Sequence, residues 1–346
     1  ETQAMFGDYP PLLPIVSQFH GRSQWRGELH TDALGTHLRY HSDLRGTEID
    51  LPAPLRKAPE RERALSLTAL FSDAPPNFSL HLGDEVRLTA QLAAPDAPFA
   101  ANLRFGGAEA VLPQSPGLVV DGRAAVIDIG GWAGWIGQLV AVGVSDVDFN
   151  GLDLEAEQLA LMGGFVPVER IRLGQTERGW KAEVEGEQLA GTIDLDQERD
   201  GLALVANFSR MHLPAGSGDG PSAASVNPRW LPAVHLLIDD FAMGEARLGE
   251  VRVEAFATPK GLRFDQLQAR SEHLDLVGSG IWKVDPEGLS SSEFKLRFTA
   301  EDMGKMLAAL GFSAPVEGGQ TLASIDARWA GSPVDFGLER LEGSLD

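Results

Sequence analysis

The chain has 346 residues, 43% hydrophobic and 23% charged, which suits about two domains of ~100–200 residues and excludes wholesale disorder. Its 29 Lys and Arg against 50 Asp and Glu give a formal net charge of -21, which would repel nucleic acids and anionic lipid head groups over most of the surface. The chain has no cysteine, so disulfides, thiolate nucleophiles and cysteine-ligated zinc are excluded.

The chain starts with ETQAMFGDYP, which has neither an initiator Met nor a basic region followed by an apolar one. From this start we expect the chain to be a piece of a longer protein or a processed form. No stretch reaches the ~18 consecutive apolar residues of a membrane-spanning helix. The 39 Gly and 21 Pro, together with apolar residues that recur at a period near two, predict many half-buried strands joined by turns.

The segment HTDALGTHLRYH contains three histidines, His30, His37 and His41. A His-x-x-x-His pair can bind a metal ion when a helix brings the two rings together. On the predicted strand, however, His37 and His41 lie roughly 13 Å apart. Arg39 between them would add positive charge. The pattern therefore favours solvent-facing polar residues over a metal site.

Amphipathic strands continue along the chain, and a helix is predicted from residue 132, in WAGWIGQLVAVG. Segments that begin at 178 and 260 share a turn, an amphipathic strand and then a glycine-containing strand. This weak repeat suggests a body extended by stacking of strand units. The stretch PAGSGDGPSAASVNP, residues 214–228, is typical of a flexible loop or linker and divides 1–213 from 229–346.

The segment LPAVHLLIDDFAMGEARLGEVRVEAFATPKG contains an acidic pair, Asp239 and Asp240, close to His235. Adjacent residues on a strand point to opposite faces, so the two carboxylates are not expected to act as an acid–base pair. His235 and Asp239 share a face but lie about 13 Å apart. The segment is therefore predicted to form two amphipathic strands, 234–241 and 248–257, with a turn through Gly244.

A second helix is predicted near 300–311, in TAEDMGKMLAALG, with Thr299 as N-cap, Asp302 completing an imperfect capping box and Gly311 as its end. Its apolar stripe fits simple packing against a sheet, or a plug or lip on an apolar groove. One apolar face runs along nearly every strand while helices are scarce, so something must cover it. If a second sheet covers the apolar face, the fold is a sandwich or barrel. If an amphiphilic ligand covers it, the face lines a lipid groove.

Several segments in order resemble the YhdP family, large AsmA-like proteins of Gram-negative bacteria. The segments that carry the resemblance are LRYHSDLRGTEIDLPAPLRK (38–57), FSRMHLP (208–214), NPRWLPAVHLLIDDFAMGEARLGEVRVEA (227–255), LDLVGSGIWK (274–283), EDMGKMLAALGF (301–312) and ARWAGSPVDFGLERLEGSL (327–345). The resemblance implies a mainly β fold, an elongated, twisted antiparallel sheet curled into a groove, with 1–213 as its first part and 229–346 as an AsmA-like C-terminal part.

The resemblance also implies a non-enzymatic function in which the groove shields phospholipid acyl chains between the inner and outer membranes and supports the outer-membrane barrier. The chain would be the periplasmic portion of an inner-membrane-anchored protein, with no cofactor, no metal and no catalytic residue. The expected lining of the groove consists of the apolar residues on the inward faces of the clearest strands: Val234, Leu236, Ile238, Val251, Val253, Phe294, Leu296, Phe298, Ile325, Val334 and Phe336.

Two other functions stay open at this stage. A closed sandwich or barrel whose apolar faces cover each other would serve as an envelope scaffold or interaction module without lipid. A β-rich hydrolase would need two carboxylates converging across a cleft within roughly 5–10 Å.

Overall fold

The computed structural model of the chain describes residues 17–94, 97–141, 148–161, 164–198, 201–214, 227–229, 231–311, 318–333 and 342–345. The first half contains β1 Phe19–Gly21, β2 Arg26–Asp32, β3 Gly35–Ser42, β4 Thr47–Ile49, β5 Leu65–Phe71, β6 Asn77–Leu82, β7 Val86–Gln91, β8 Ala100–Phe105, β9 Gly117–Asp128, α1 Ile129–Ala141, β10 Phe149–Leu161, β11 Gly164–Pro167 and β12 Arg170–Gln175. The second half contains β13 Gly179–Glu185, β14 Leu189–Glu198, β15 Gly201–Leu213, β16 Ala233–Met243, β17 Ala246–Thr258, β18 Gly261–Arg270, β19 Asp275–Val284, β20 Ser290–Ala300, α2 Met303–Ala309, β21 Thr321–Ala330 and β22 Glu342–Leu345.

The contacts divide the chain into two compact units. Unit 1 comprises residues 1–159 and 170–174, and unit 2 comprises residues 160–169 and 175–346. The predicted linker 214–228 lies largely outside the described residues, and β15 and β16 on either side of it are hydrogen-bonded neighbours within unit 2. The division at 214–228 stays a prediction.

Unit 1 contains a sheet in which β2, β3, β5, β6, β7 and β8 follow one another as antiparallel neighbours. β9 joins β8 in parallel, and β10 pairs with β12 in the antiparallel sense. Apolar rows cross the sheet on one face, so that Leu67, Leu80 and Leu88 stand side by side. Period-two alternation within each strand thus becomes one apolar face when the registers align.

Unit 2 contains a run of strands from β13 to β22 in which each strand pairs with the next. The mainly β fold is confirmed. The expectation of a purely antiparallel sheet is wrong at two places, because β8–β9 and β15–β16 are parallel pairs. A parallel pair needs a crossover connection rather than a tight turn, and residues 106–116 and 214–232 connect these strands.

A polar anchor organises the loop that follows β4. The Lys57 side chain is 2% exposed, and its Nζ donates to the carbonyl oxygens of Leu44 at 2.8 Å, Thr47 at 2.6 Å and Ala58 at 3.0 Å. Burial lowers the pKa of the Lys57 ammonium from its ordinary value. Three carbonyl acceptors match the three donors of this group, so its burial is fully compensated by hydrogen bonds.

The helix predicted near 300–311 is α2, but its predicted cap is wrong. Asp302, rather than Thr299, is the N-cap, and its carboxylate accepts from the Lys305 N–H at 3.1 Å. Thr299 is a residue of β20, whose pairing with β19 and β21 keeps it extended. The helix predicted from 132 is part of α1. Among the described residues, no helix has the length and apolar character needed to span a membrane.

Candidate functional site

Three rows of side chains cross unit 2 on one face of its sheet, and every position is apolar or glycine from β13 to β21. The first row is Trp180, Leu195, Leu204, Val234, Ala255, Phe264, Gly280, Phe294 and Ala327. The middle row is Ala182, Ile193, Ala206, Leu236, Val253, Leu267, Gly278, Leu296 and Ile325. The third row is Val184, Gly191, Phe208, Ile238, Val251, Ala269, Leu276, Phe298 and Ala323. We call these 27 positions the apolar face of unit 2; the count is nine strands times three rows.

The structure brings together the expected lining residues that it describes. Val234 and Phe294 are in the first row, and the middle row contains Leu236, Val253, Leu296 and Ile325. The third row contains Ile238, Val251 and Phe298. Val334 and Phe336 lie outside the described residues. The nine described residues therefore share one face, and their role in lining a groove stays a prediction.

Burial differs between the rows. The third row lies nearest the C-terminal end of β20, just before α2 begins. Six of its nine positions are buried: Phe208, Ile238, Val251, Ala269, Leu276 and Phe298. In the middle row, Leu236, Leu267, Leu296 and Ile325 are only half-buried. α2 packs against β17, with Met306 buried, so the helix reaches back from β20 past two intervening strands. In the first row Leu195, Leu204, Val234 and Phe264 are half-buried as well, so the accessible part of the apolar face comprises the first and middle rows.

An aromatic cluster occupies one end of the apolar face. The Phe294 ring lies 5.1 Å from Phe264 and stacks on Trp329 at 5.4 Å between centroids. Gly280 lies between the two phenylalanines in the first row, and a Cβ there would stand 2.5 Å from Phe294 Cδ1. The same Cβ would stand even closer to the Glu293 carbonyl oxygen, so glycine is required here because both the neighbouring backbone and the ring occupy the space that a side chain would need.

The opposite face of unit 2 is mostly polar, although Leu237, Val277 and Ile281 also lie on it, and it carries cross-strand ion pairs. Glu293 accepts from Lys283 Nζ at 2.7 Å and from Arg328 Nη2 at 2.7 Å, and Lys295 lies 3.2 Å from Asp326. The hydrogen bond from Lys283, together with the charge of Arg328, holds the pKa of Glu293 below its ordinary value. One face of the sheet is therefore charged and hydrated while the other is apolar.

The lowered pKa of Glu293 predicts a pH-dependent contribution to stability. Its folded-state pKa lies below its unfolded value near 4.5, so its stabilisation is present above that value and is lost as pH falls through the folded-state pKa. Glu293→Gln should therefore lower the free energy of unfolding at neutral pH, and the difference from the wild type should shrink below about pH 4.5. Urea titrations at successive pH values measure this difference in the free energy of unfolding. Exposed Glu301→Gln is the control, and an equal shift in both variants would contradict the prediction.

The acidic pair lies at a β-bulge. Asp239 and Asp240 together stand opposite the single residue Glu250 of β17, and both are exposed. The expectation that they face opposite sides of a regular strand is therefore wrong. The Asp240 carboxylate lies 2.8 Å from His212 Nε2, and His235 pairs with Glu254 instead. Asp240 and His235 thus belong to two separate ion pairs.

The N-terminal histidines lie on the hairpin of β2 and β3. His30 and His37 are cross-strand partners, and both lie near Asp32, at 3.8 and 3.3 Å. His30 and His41 are exposed. No cluster of three or more His, Asp or Glu side chains arranged to hold a metal ion occurs in the described part of the chain.

Sequence reasoning missed several members of the apolar face, notably Phe264 and Leu267. β18 contains a bulge at Asp265 and Gln266, which stand opposite the single residue Ser279 of β19. The bulge adds one residue between Phe264 and Leu267, so the period-two pattern is interrupted while both side chains stay on the same face. The signal that could have found them is a three-residue spacing between apolar residues inside an otherwise alternating strand.

A profile of the YhdP family, described as YhdP protein, matches residues 8–346 of the chain. No curated protein and no solved structure matches the chain.

Proposed function

Because the chain belongs to the YhdP family, a group of AsmA-like bacterial envelope proteins, we propose that it is a non-enzymatic lipid-transfer segment. Its apolar face shields phospholipid acyl chains while the head groups stay in water. We further propose that the chain is the periplasmic portion of a protein anchored in the inner membrane. There it carries phospholipid between the inner and outer membranes and supports the outer-membrane barrier.

The observation that carries the proposal is the continuity of the three rows across nine strands. Neighbouring strands are ~4.8 Å apart, so the rows extend for roughly 40 Å without a charged side chain. Acyl chains make no directional contacts, so their free energy changes little from one strand to the next along such a surface. A charge within the rows would introduce a barrier of several kcal/mol.

The accessible middle row gives a matched test. Leu236 and Leu237 are adjacent on β16, both half-buried, and point to the apolar and polar faces respectively. Leu236→Asp should reduce the phospholipid that co-purifies with the chain by at least roughly tenfold, because a carboxylate would have to be buried beneath an acyl chain. Leu237→Asp should leave the lipid content unchanged. Mass spectrometry of a solvent extract gives the lipid-to-protein ratio, and thermal melts establish that both variants fold.

A second readout avoids introducing a charge. A photoreactive amino acid placed at Leu296 should cross-link to acyl chains, and the same group at Arg297, on the opposite face of β20, should not. A wild-type chain with no stoichiometric phospholipid, or equal labelling at both positions, would instead favour an envelope scaffold.

A further inference from the structure

A row of basic side chains crosses the polar face of the sheet in unit 1. His81 on β6, Arg87 on β7 and Arg104 on β8 are successive cross-strand partners, on the opposite side of the sheet from Leu80 and Leu88. Neighbouring strands are ~4.8 Å apart, so the three side chains begin within roughly 10 Å of one another. Like charges directly opposite each other on neighbouring strands are destabilising, so an anion placed between these side chains would stabilise the row.

The Arg87 guanidinium is the fixed centre of this basic row. Its side chain is 11% exposed, and its Nη1 donates to the carbonyl oxygens of Gly83 at 2.8 Å and Val86 at 3.1 Å. Arg104 donates from Nη1 to the Asp121 carboxylate at 3.3 Å. In the part of the chain that the structure describes, the buried Nε atoms of Arg87 and Arg104 have no hydrogen-bond acceptor. The two arginines are thus held in place while each keeps a donor for an anion.

The crossover between β8 and β9, residues 106–116, passes over the same face. The Thr89 hydroxyl donates to the Ala110 carbonyl oxygen at 3.2 Å, and the Val111 N–H donates to Asn102 Oδ1 at 3.2 Å. Asn102 is buried beneath the crossover. Thr89 and Asn102 are themselves cross-strand partners, in the row next to the basic one. The backbone of the crossover is therefore fixed beside the basic side chains.

Glu109, from this crossover, places its carboxylate loosely over the basic row. Its oxygens lie 3.5 Å from His81 Nε2 and 4.0 Å from Arg87 Nε, both longer than the ~2.7–3.2 Å of an N–H···O hydrogen bond. The Glu109 side chain is 73% exposed, so charge rather than packing holds it there. A carboxylate has two oxygens, whereas a phosphate group has at least three strong acceptor oxygens and can accept from donors on three strands at once.

We propose that His81, Arg87 and Arg104 form a binding site for a phosphate group, and that Glu109 is an internal carboxylate which the phosphate displaces. Guanidinium groups bind phosphate through charge-assisted hydrogen bonds, and here the strands and the carbonyl acceptors of Arg87 orient the donors beforehand. The phosphate belongs either to a soluble ion or ester or to the head group of a lipid, and experiment separates these two sources. This inference goes beyond lipid transfer and does not depend on it.

Calorimetric titration of the chain with inorganic phosphate at constant ionic strength tests the site. Acetate should bind at least roughly tenfold more weakly than phosphate, because it has fewer acceptor oxygens. Glu109→Gln should lower the dissociation constant for phosphate about threefold, since it removes the competing charge. Arg87→Gln should raise that constant at least roughly tenfold, since it removes charge-assisted hydrogen bonds. Arg297→Gln, exposed on the polar face of unit 2, is the control and should leave it unchanged.

Co-sedimentation with phosphatidylglycerol vesicles identifies the source of the phosphate. Vesicle binding that Arg87→Gln abolishes and Arg297→Gln preserves would assign the site to a lipid head group, whereas phosphate binding without vesicle binding would assign it to a soluble phosphate. Thermal melts establish that the variants fold, and Glu109→Gln changes only an exposed side chain, so its result stands even if Arg87→Gln is unstable. A chain that binds neither phosphate nor vesicles, acetate that binds as tightly as phosphate, or a Glu109→Gln variant with an unchanged dissociation constant would overturn the proposal.

Discussion

Phe294→Ala should lower the free energy of unfolding of unit 2 by about 3–5 kcal/mol, the cost typical of removing a buried phenylalanine side chain. Phe294 is 5% exposed and lies at the centre of a cluster with Ala327 and Trp329, against which Phe264, Leu267, Leu296 and Ile325 pack. The cavity would be difficult to refill, because Gly280 beneath the ring has no side chain and the β-sheet backbone resists collapse. The loss should therefore lie toward the upper end of this range.

Urea unfolding followed by tryptophan fluorescence measures the loss, because Trp329 stacks on the Phe294 ring. Phe165→Ala, at a position 54% exposed on β11, is the control and should change stability far less. A double-mutant cycle of Phe294 and Trp329 should give a coupling of about 0.5–1.5 kcal/mol from ring stacking beyond area burial. A coupling of zero would show that the two rings contribute independently.

Local periodicity was sufficient to predict the strands and most of their faces. The predicted strands 234–241 and 248–257 are β16 and β17, and the turn between them runs through Gly244, which has a φ of 58°. These features are encoded within a few residues: alternation defines the two faces of a strand, and glycine permits the left-handed turn conformation.

Features that depend on distant residues could not be predicted in this way. The bulges at 239–240 and 265–266 arise from pairing with neighbouring strands, so nothing in the alternation of a single strand locates the extra residue. The parallel pairing of β15 with β16 depends on the path of the chain between 214 and 232. The continuity of the three rows likewise follows from the registers of eight strand pairs, whereas the sequence shows only which residues share a face within one strand.

The apolar face and the polar anchor of Lys57 make different demands on the sequence. Any apolar residue of suitable size can continue a row, because burial of apolar area is not directional. Lys57 instead satisfies three carbonyl oxygens at fixed positions, and only a side chain with several donors at its tip can do so. Nothing in the local pattern LRKAPERER distinguishes this lysine from the exposed charged residues around it.

Lys57→Met should therefore destabilise the loop 43–63 by about 1–3 kcal/mol, although methionine is apolar and similar in length. The substitution relieves the cost of burying an ammonium group but removes three charge-assisted hydrogen bonds, to the carbonyls of Leu44, Thr47 and Ala58. The Leu44 and Ala58 oxygens still accept from the N–H groups of Thr47 at 3.1 Å and Arg61 at 3.2 Å, which limits the loss. Hydrogen–deuterium exchange should show faster opening of residues 43–63, with little change in unit 2. Exposed Lys260→Met is the control. Unchanged exchange in 43–63 would mean that packing around Leu44 and Ile49, both fully buried, holds the loop without the ammonium group.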